Sequence, residues 1–80
     1  MEVFVVEMAP GIASSDTPLI HEGEEWILIL QGSLELVIGD ETVRLEQGDA
    51  AYFDGRVPHI MSNKGSEQMI GVLAKTPPTF

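Results

Sequence analysis

The 80-residue chain reads as an all-β domain, a sandwich or closed barrel, on three observations. No stretch longer than about ten residues keeps its apolar positions at helical spacing. Eight Gly and five Pro cut the chain into short pieces, several of them rich in Val, Ile, Leu and aromatic residues. Turn signals return at intervals of about ten residues, as hairpins stacked into a β architecture require.

The predicted strands lie at residues 2–8, 25–31, 33–38, 41–45, 50–53, 59–63 and 68–75. Residues 33–38 and 42–45 alternate apolar with polar side chains and flank Gly39-Asp40-Glu41, the pattern of a hairpin. Gly48-Asp49 and Asp54-Gly55 bracket another short strand, and Asn63-Lys64-Gly65 makes a turn before the last one. Residues 26–30 carry large side chains on both faces, which places this strand centrally or at a dimer interface. Residues 9–18, with Pro, Gly, Ser, Asp and Thr, form the one long loop, expected over the barrel mouth.

Composition narrows the function classes. Residues 1–80 are enough for one domain, but a chain this short has a thin stability margin that a partner subunit would widen. Apolar residues at 44% with charged ones at 21% argue for a folded chain rather than a disordered one. The absence of cysteine excludes disulfides and thiolate zinc sites and fits the cytoplasm. The longest apolar run, 26–30, is far short of a bilayer span, and Met1-Glu2-Val3-Phe4 has no features of a secretory signal. Thirteen acidic against four basic residues give a net charge of −9, which argues against direct nucleic-acid binding. The acidic surplus is either a solvated surface or a mouth that attracts cations.

Few residues can carry chemistry: His21, His59 and the acidic run Glu22, Glu24 and Glu25. On a straight strand His21 and Glu25 would share a face but stand about 13 Å apart, too far to hold one ion. Gly23 lies between them and tolerates the backbone conformation of a sharp bend or bulge. A helix would bring the pair to about 6 Å, but β-forming residues follow and no cap precedes, so a bent strand is expected.

These residues resemble the two motifs of the cupins, G-x5-H-x-H-x3/4-E-x6-G and G-x5-P-x-G-x2-H-x3-N. Glu25 and Gly32 fit the end of the first, and His21 precedes Glu25 by the required spacing. Gly48, Asp54, Gly55, Arg56, His59 and Asn63 follow the second, with Asp in place of Pro and Arg in place of the second Gly. Residues 33–47 make the short hairpin between motifs. Leu19 falls where the other histidine of the first motif would stand, and Ala13 where its opening Gly would. The block from Pro18 to Glu25 and the tail Thr76-Pro77-Pro78-Thr79-Phe80 are similar to the cupin half of XRE-type helix-turn-helix regulators, a fold shared with phosphonate epoxidases. A DNA-reading half has no room in this chain.

The resemblance implies a small double-stranded β-helix, the jelly-roll cupin barrel, with His21, Glu25 and His59 as a two-His-one-carboxylate metal site. Fe, Mn, Ni or Zn would each suit such donors, and no organic cofactor is called for. Glu24 is either solvated or a substitute for Glu25 if the bend differs by one residue. Trp26, Phe53, Arg56 and Met61 are the candidate ligand-binding residues. Against those roles stand core or interface packing for Trp26, a rim ion pair with Asp54 or Asp49 for Arg56, and adaptable packing for Met61. Tyr52 and Phe53 point to opposite faces, so only one can line the cavity. Two functions remain open: a homodimeric module that binds a small molecule, or a metal-dependent enzyme such as an Fe(II) oxygenase, epoxidase or isomerase.

Overall fold

The computed structural model describes residues 1–76. The Pro-Pro-Thr-Phe part of the tail motif, residues 77–80, lies outside the described residues. Seven strands follow one another: β1 (Glu2–Met8), β2 (Glu24–Gln31), β3 (Leu34–Ile38), β4 (Glu41–Leu45), β5 (Ala50–Asp54), β6 (His59–Ser62) and β7 (Met69–Thr76). Each lies within one residue of the sequence expectation at either end, because the Gly and Asp turns that separate them are unambiguous stops.

The strands form two antiparallel sheets, ordered β1-β7-β2-β5 and β4-β3-β6, packed as a jelly roll. The inner faces meet through Ile27, Ile29, Leu34, Leu36 and Met69, all fully buried, with Met8, Leu45, Phe53, Met61 and Leu73 around them. Full burial of one such aliphatic side chain contributes about 1.5–3 kcal/mol. Alternation explains the selection: in β2, Glu25, Ile27 and Ile29 point inward while Trp26, Leu28 and Leu30 point outward.

As expected, β2 is an interior strand, flanked by β7 and β5. Its outer face, however, is open in the single chain: Trp26 is 36% and Leu30 48% exposed.

Residues 9–18 do not behave as a lid over the mouth. Ser14 donates its amide to the Met61 carbonyl and accepts the Met61 amide on its Oγ, while Gly11 and Ile12 exchange bonds with Asn63. Leu19 and His59 bond reciprocally, at 2.7 and 3.0 Å. The loop therefore acts as a broken edge strand along β6, satisfying backbone groups that would otherwise form a naked sheet edge.

Asn63 is the knot of this arrangement. Fully buried, it donates from Nδ2 to the carbonyls of Met8 (2.8 Å) and Glu67 (2.9 Å), and its Oδ1 accepts the Gly65 amide. The end of β1 and the turn before β7 are thus held by one side chain. Asn63→Ala is expected to destabilise the fold by about 3 kcal/mol, because it strands buried backbone groups rather than merely removing bonds; urea unfolding measures the loss.

Candidate metal centre

Glu25 lies near the start of β2 with its side chain directed inward, 3% exposed. His59 opens β6 and is 2% exposed, facing Glu25 across the interior. Neither fact would suffice without His21, which lies outside any strand and must be turned back toward β2. Gly23 makes that turn with φ +86°, a conformation that side-chain-bearing residues avoid. The His21 amide donates to the Gly55 carbonyl (2.9 Å), and the Gly55 amide donates to the Gly23 carbonyl (2.8 Å). The predicted bend is therefore present, and it is clasped to the turn between β5 and β6.

The outcome is a compact cluster. His21 Nε2 lies 2.7 Å and His59 Nε2 3.1 Å from the same oxygen, Glu25 Oε2. Donor atoms from the three residues all fall within 4.8 Å of one another. The imidazole rings meet edge to face at 5.0 Å between centroids, and the Phe53 ring packs against His59 at 4.8 Å.

The second nitrogen of each ring decides what the first can do. His21 Nδ1 sits 2.9 Å from the Glu22 carbonyl, and His59 Nδ1 2.8 Å from the Val57 carbonyl. A carbonyl only accepts, so each Nδ1 donates to it, and each ring is thereby turned with its Nε2 toward Glu25 Oε2. An ion bound here would take the place of any proton shared between Nε2 and the carboxylate, with two imidazole nitrogens and one carboxylate oxygen converging on it. Carbonyl-anchored imidazoles plus one carboxylate are a donor set suited to Fe, Mn, Ni or Zn, and the residues fit such an ion.

Gly55 has a role that motif spacing did not disclose. A Cβ built there would lie 2.3 Å from His21 Cε1 and 2.5 Å from its Nδ1, so the imidazole rests directly on the glycine. The signal was the glycine itself, but its partner follows only from the clasp.

The four candidate ligand residues separate. Phe53 is buried opposite Glu25 in the β2–β5 register, and Met61 lies on the same inward face of β6 as His59. Trp26 is not brought to the cluster: one residue after Glu25, strand alternation turns it to the outer face, opposite Tyr52 and Ala74. Arg56 stays on the rim with its fork filled by Asp54, Nε to Oδ1 at 3.1 Å and Nη2 to Oδ2 at 2.9 Å. That pairing, with the Arg56 amide also bonded to Oδ1, draws the Asp54 carboxyl down to about 2 and raises the guanidinium. Glu24, expected to be solvated or an alternative ligand, is exposed on the outer face of β2. Leu19, where a further histidine would stand, is backbone-paired directly opposite His59 and 42% exposed.

A polar cleft of about 380 Å³ lies at the other end of β2, lined by Gly32, Ser33, Arg44, Glu46 and Gly65 among others. Its guanidinium is already bonded to Glu46 at 2.9 Å, so the candidate metal site is the His/Glu cluster.

A family model for the Cupin domain, Cupin_2, matches residues 4–74. The chain belongs to the cupins. Among solved structures, this cupin is similar to the Cupin_2 domain of an XRE-family transcriptional regulator from Enterobacter cloacae, at 26% identity over 96% of this chain and 81% of that one, with TM-score 0.84. It also resembles a sugar phosphate isomerase of the cupin superfamily from Silicibacter pomeroyi, at 26% identity and TM-score 0.80, covering 95% of this chain but 50% of the isomerase. A double-stranded β-helix protein from Klebsiella pneumoniae gives 25% identity, TM-score 0.81, and coverage of 94% and 65%. No curated protein matches the cupin.

Gly55→Ala is expected to push His21 off its seat and weaken Zn²⁺ or Co²⁺ binding by about 10- to 100-fold, the usual cost of losing support behind a ligand. Isothermal titration calorimetry measures it, with the far-UV spectrum showing the barrel retained.

Proposed function

We propose that this cupin is a small-molecule-sensing module of the kind attached to transcriptional regulators. It works as a single domain and a homodimer in the cytoplasm, and presents a divalent metal held by His21, Glu25 and His59. One observation carries the reading: two imidazoles with Nδ1 anchored on carbonyls aim both Nε2 atoms at one buried carboxylate oxygen. With three protein donors, up to three coordination positions stay available to water or ligand. Phe53 and Met61 provide apolar walls on the same face. The likeness to the Enterobacter cloacae regulator domain over most of both chains supports a sensing rather than a structural role. The cytoplasmic assignment rests on the cysteine-free sequence.

Protein purified without a tag is expected to carry near-stoichiometric metal by elemental analysis. Metal at about a hundred times its Kd adds about 2.7 kcal/mol to the stability of a protein that binds it only when folded. Both the metal and the gain in melting temperature should vanish in His59→Ala and in His21→Ala, the latter at a half-buried ring whose loss the core tolerates. Wild-type protein that takes up none of Fe, Mn, Ni or Zn, and whose melting is indifferent to them, overturns the proposal.

The homodimer reading rests on the outer face of the four-stranded sheet. Two cross-strand rows run over it, Val3-Ala74-Trp26-Tyr52 and Val5-Val72-Leu28-Ala50, and neither contains a charge in a chain of net −9. Two like-charged copies approach most cheaply through such a face. The double variant Val5→Glu/Trp26→Glu is expected to sediment as a monomer where the wild type sediments as a dimer, and a monomeric wild type removes this part of the reading.

The second reading, a metal-dependent enzyme using the same three ligands, is favoured by the likeness to the Silicibacter pomeroyi isomerase. Turnover of a sugar phosphate that His59→Ala abolishes would replace sensing with catalysis.

A further inference from the structure

One turn serves both imidazoles. Residues 54–57 lead from β5 to β6 and are closed by the Val57 amide on the Asp54 carbonyl at 3.1 Å. Within the turn, Gly55 accepts the His21 amide at 2.9 Å, and the His21 ring occupies the place where a Cβ would stand. Two residues on, the Val57 carbonyl accepts from His59 Nδ1 at 2.8 Å. The two rings come from distant parts of the chain, yet one four-residue segment fixes the seat of the first and the aim of the second.

That seat carries a weakness of its own. The ring needs a residue without a Cβ beneath it, and the only such residue is also the one with the most backbone freedom. Ligands of a metal must be held to within about 0.5 Å, which a rocking peptide does not provide.

The neighbours of Gly55 supply the stiffness that it lacks. Asp54 Oδ1 accepts the Arg56 amide at 2.9 Å, an Asx turn closed over the glycine. The Arg56 fork then grips the same carboxylate, Nε on Oδ1 at 3.1 Å and Nη2 on Oδ2 at 2.9 Å. Three hydrogen bonds thus span Gly55 from one side to the other. The side-chain bond from Arg56 is the main reason that the Asp54 carboxyl is held at about 2, so the bracket is closed at any pH where an imidazole is free to take a metal.

Arg44 makes a useful contrast. It too pairs with an acid two residues away, Glu46 at 2.9 Å, and both pairs are exposed, where an ion pair adds little to stability. The Arg44 pair flanks Leu45, a core residue, whereas the Arg56 pair flanks the residue on which His21 rests. Charge alone gives Arg56 the opposite effect from geometry. A guanidinium at the rim repels a divalent cation, and Glu22 and Glu24, which share its field, would attract one more strongly without it.

We propose that the Asp54–Arg56 pair is the positioning device of the metal site, holding rigid the one turn on which His21 and His59 are set. This rests on the metal-binding reading above and adds two positioning residues to its three ligands. Removal of Arg56 therefore weakens metal binding, although it takes a positive charge away from the mouth.

The test is calorimetric titration of Co²⁺ into the full chain and into Arg56→Gln and Arg44→Gln, each of which removes one positive charge from an exposed pair. The visible absorption of bound Co²⁺ reads the geometry of its ligands, and the melting temperature of each metal-free protein is measured alongside. Arg56→Gln is expected to bind Co²⁺ about five- to ten-fold more weakly than the wild type, toward the low end of what support behind a ligand contributes, and to shift the absorption band. Its metal-free melting temperature should match that of Arg44→Gln, which itself should bind Co²⁺ at least as tightly as the wild type. An Arg56→Gln variant that binds as tightly as Arg44→Gln, leaves the band unshifted, or melts well below Arg44→Gln overturns this inference and leaves the metal site standing. A wild type that binds no Co²⁺ overturns both.

Discussion

Everything at the centre of this protein depends on a backbone clasp between residues 19–23 and the turn that joins β5 to β6. Leu19 and His59 exchange two hydrogen bonds, His21 donates to Gly55, and Gly55 donates to Gly23. Such bonds are worth about 1 kcal/mol each in net stability, which is modest. Their geometric effect is larger: they turn an imidazole that precedes the strand back over the carboxylate near its start, and hold it 2.7 Å away. Remove the clasp and His21 belongs to a surface loop, with Glu25 and His59 buried opposite one another.

Much of the fold could be read from the chain because its turns are explicit. Gly39-Asp40, Gly48-Asp49, Asp54-Gly55 and Asn63-Lys64-Gly65 divide it into strands whose ends then fall within a residue of expectation. The bend at Gly23 was legible too, since a straight strand leaves His21 out of reach of Glu25 and the β-forming residues that follow argue against a helix. What could not be read was pairing between distant segments. Lys75 sits opposite Glu25 only because β7 inserts between β1 and β2, and no local pattern encodes that register. The contact of Gly55 with the His21 ring was hidden for the same reason.

One expectation failed and one choice was narrowed, each for a physical reason. Residues 9–18 have the composition of a cover, but the free edge of β6 needs partners more than the mouth needs a lid, and backbone satisfaction decided their course. Trp26 was open to two readings, packing in a core or interface and a wall against a ligand. Strand alternation instead assigns successive residues of β2 to opposite tasks, Glu25 to the interior cluster and Trp26 to the outer apolar face. A single strand thus carries an outward apolar row and an inward carboxylate on alternate residues.

Leu19 has a wider consequence. It is backbone-paired across from His59, with an isobutyl group where the first motif of the family has a further imidazole. A site finished entirely by its own protein is a sealed vessel, whose state reports only whether the ion is present. With three protein donors, an ion held here would draw its remaining ligands from outside, so its geometry and colour would become a function of the surrounding fluid.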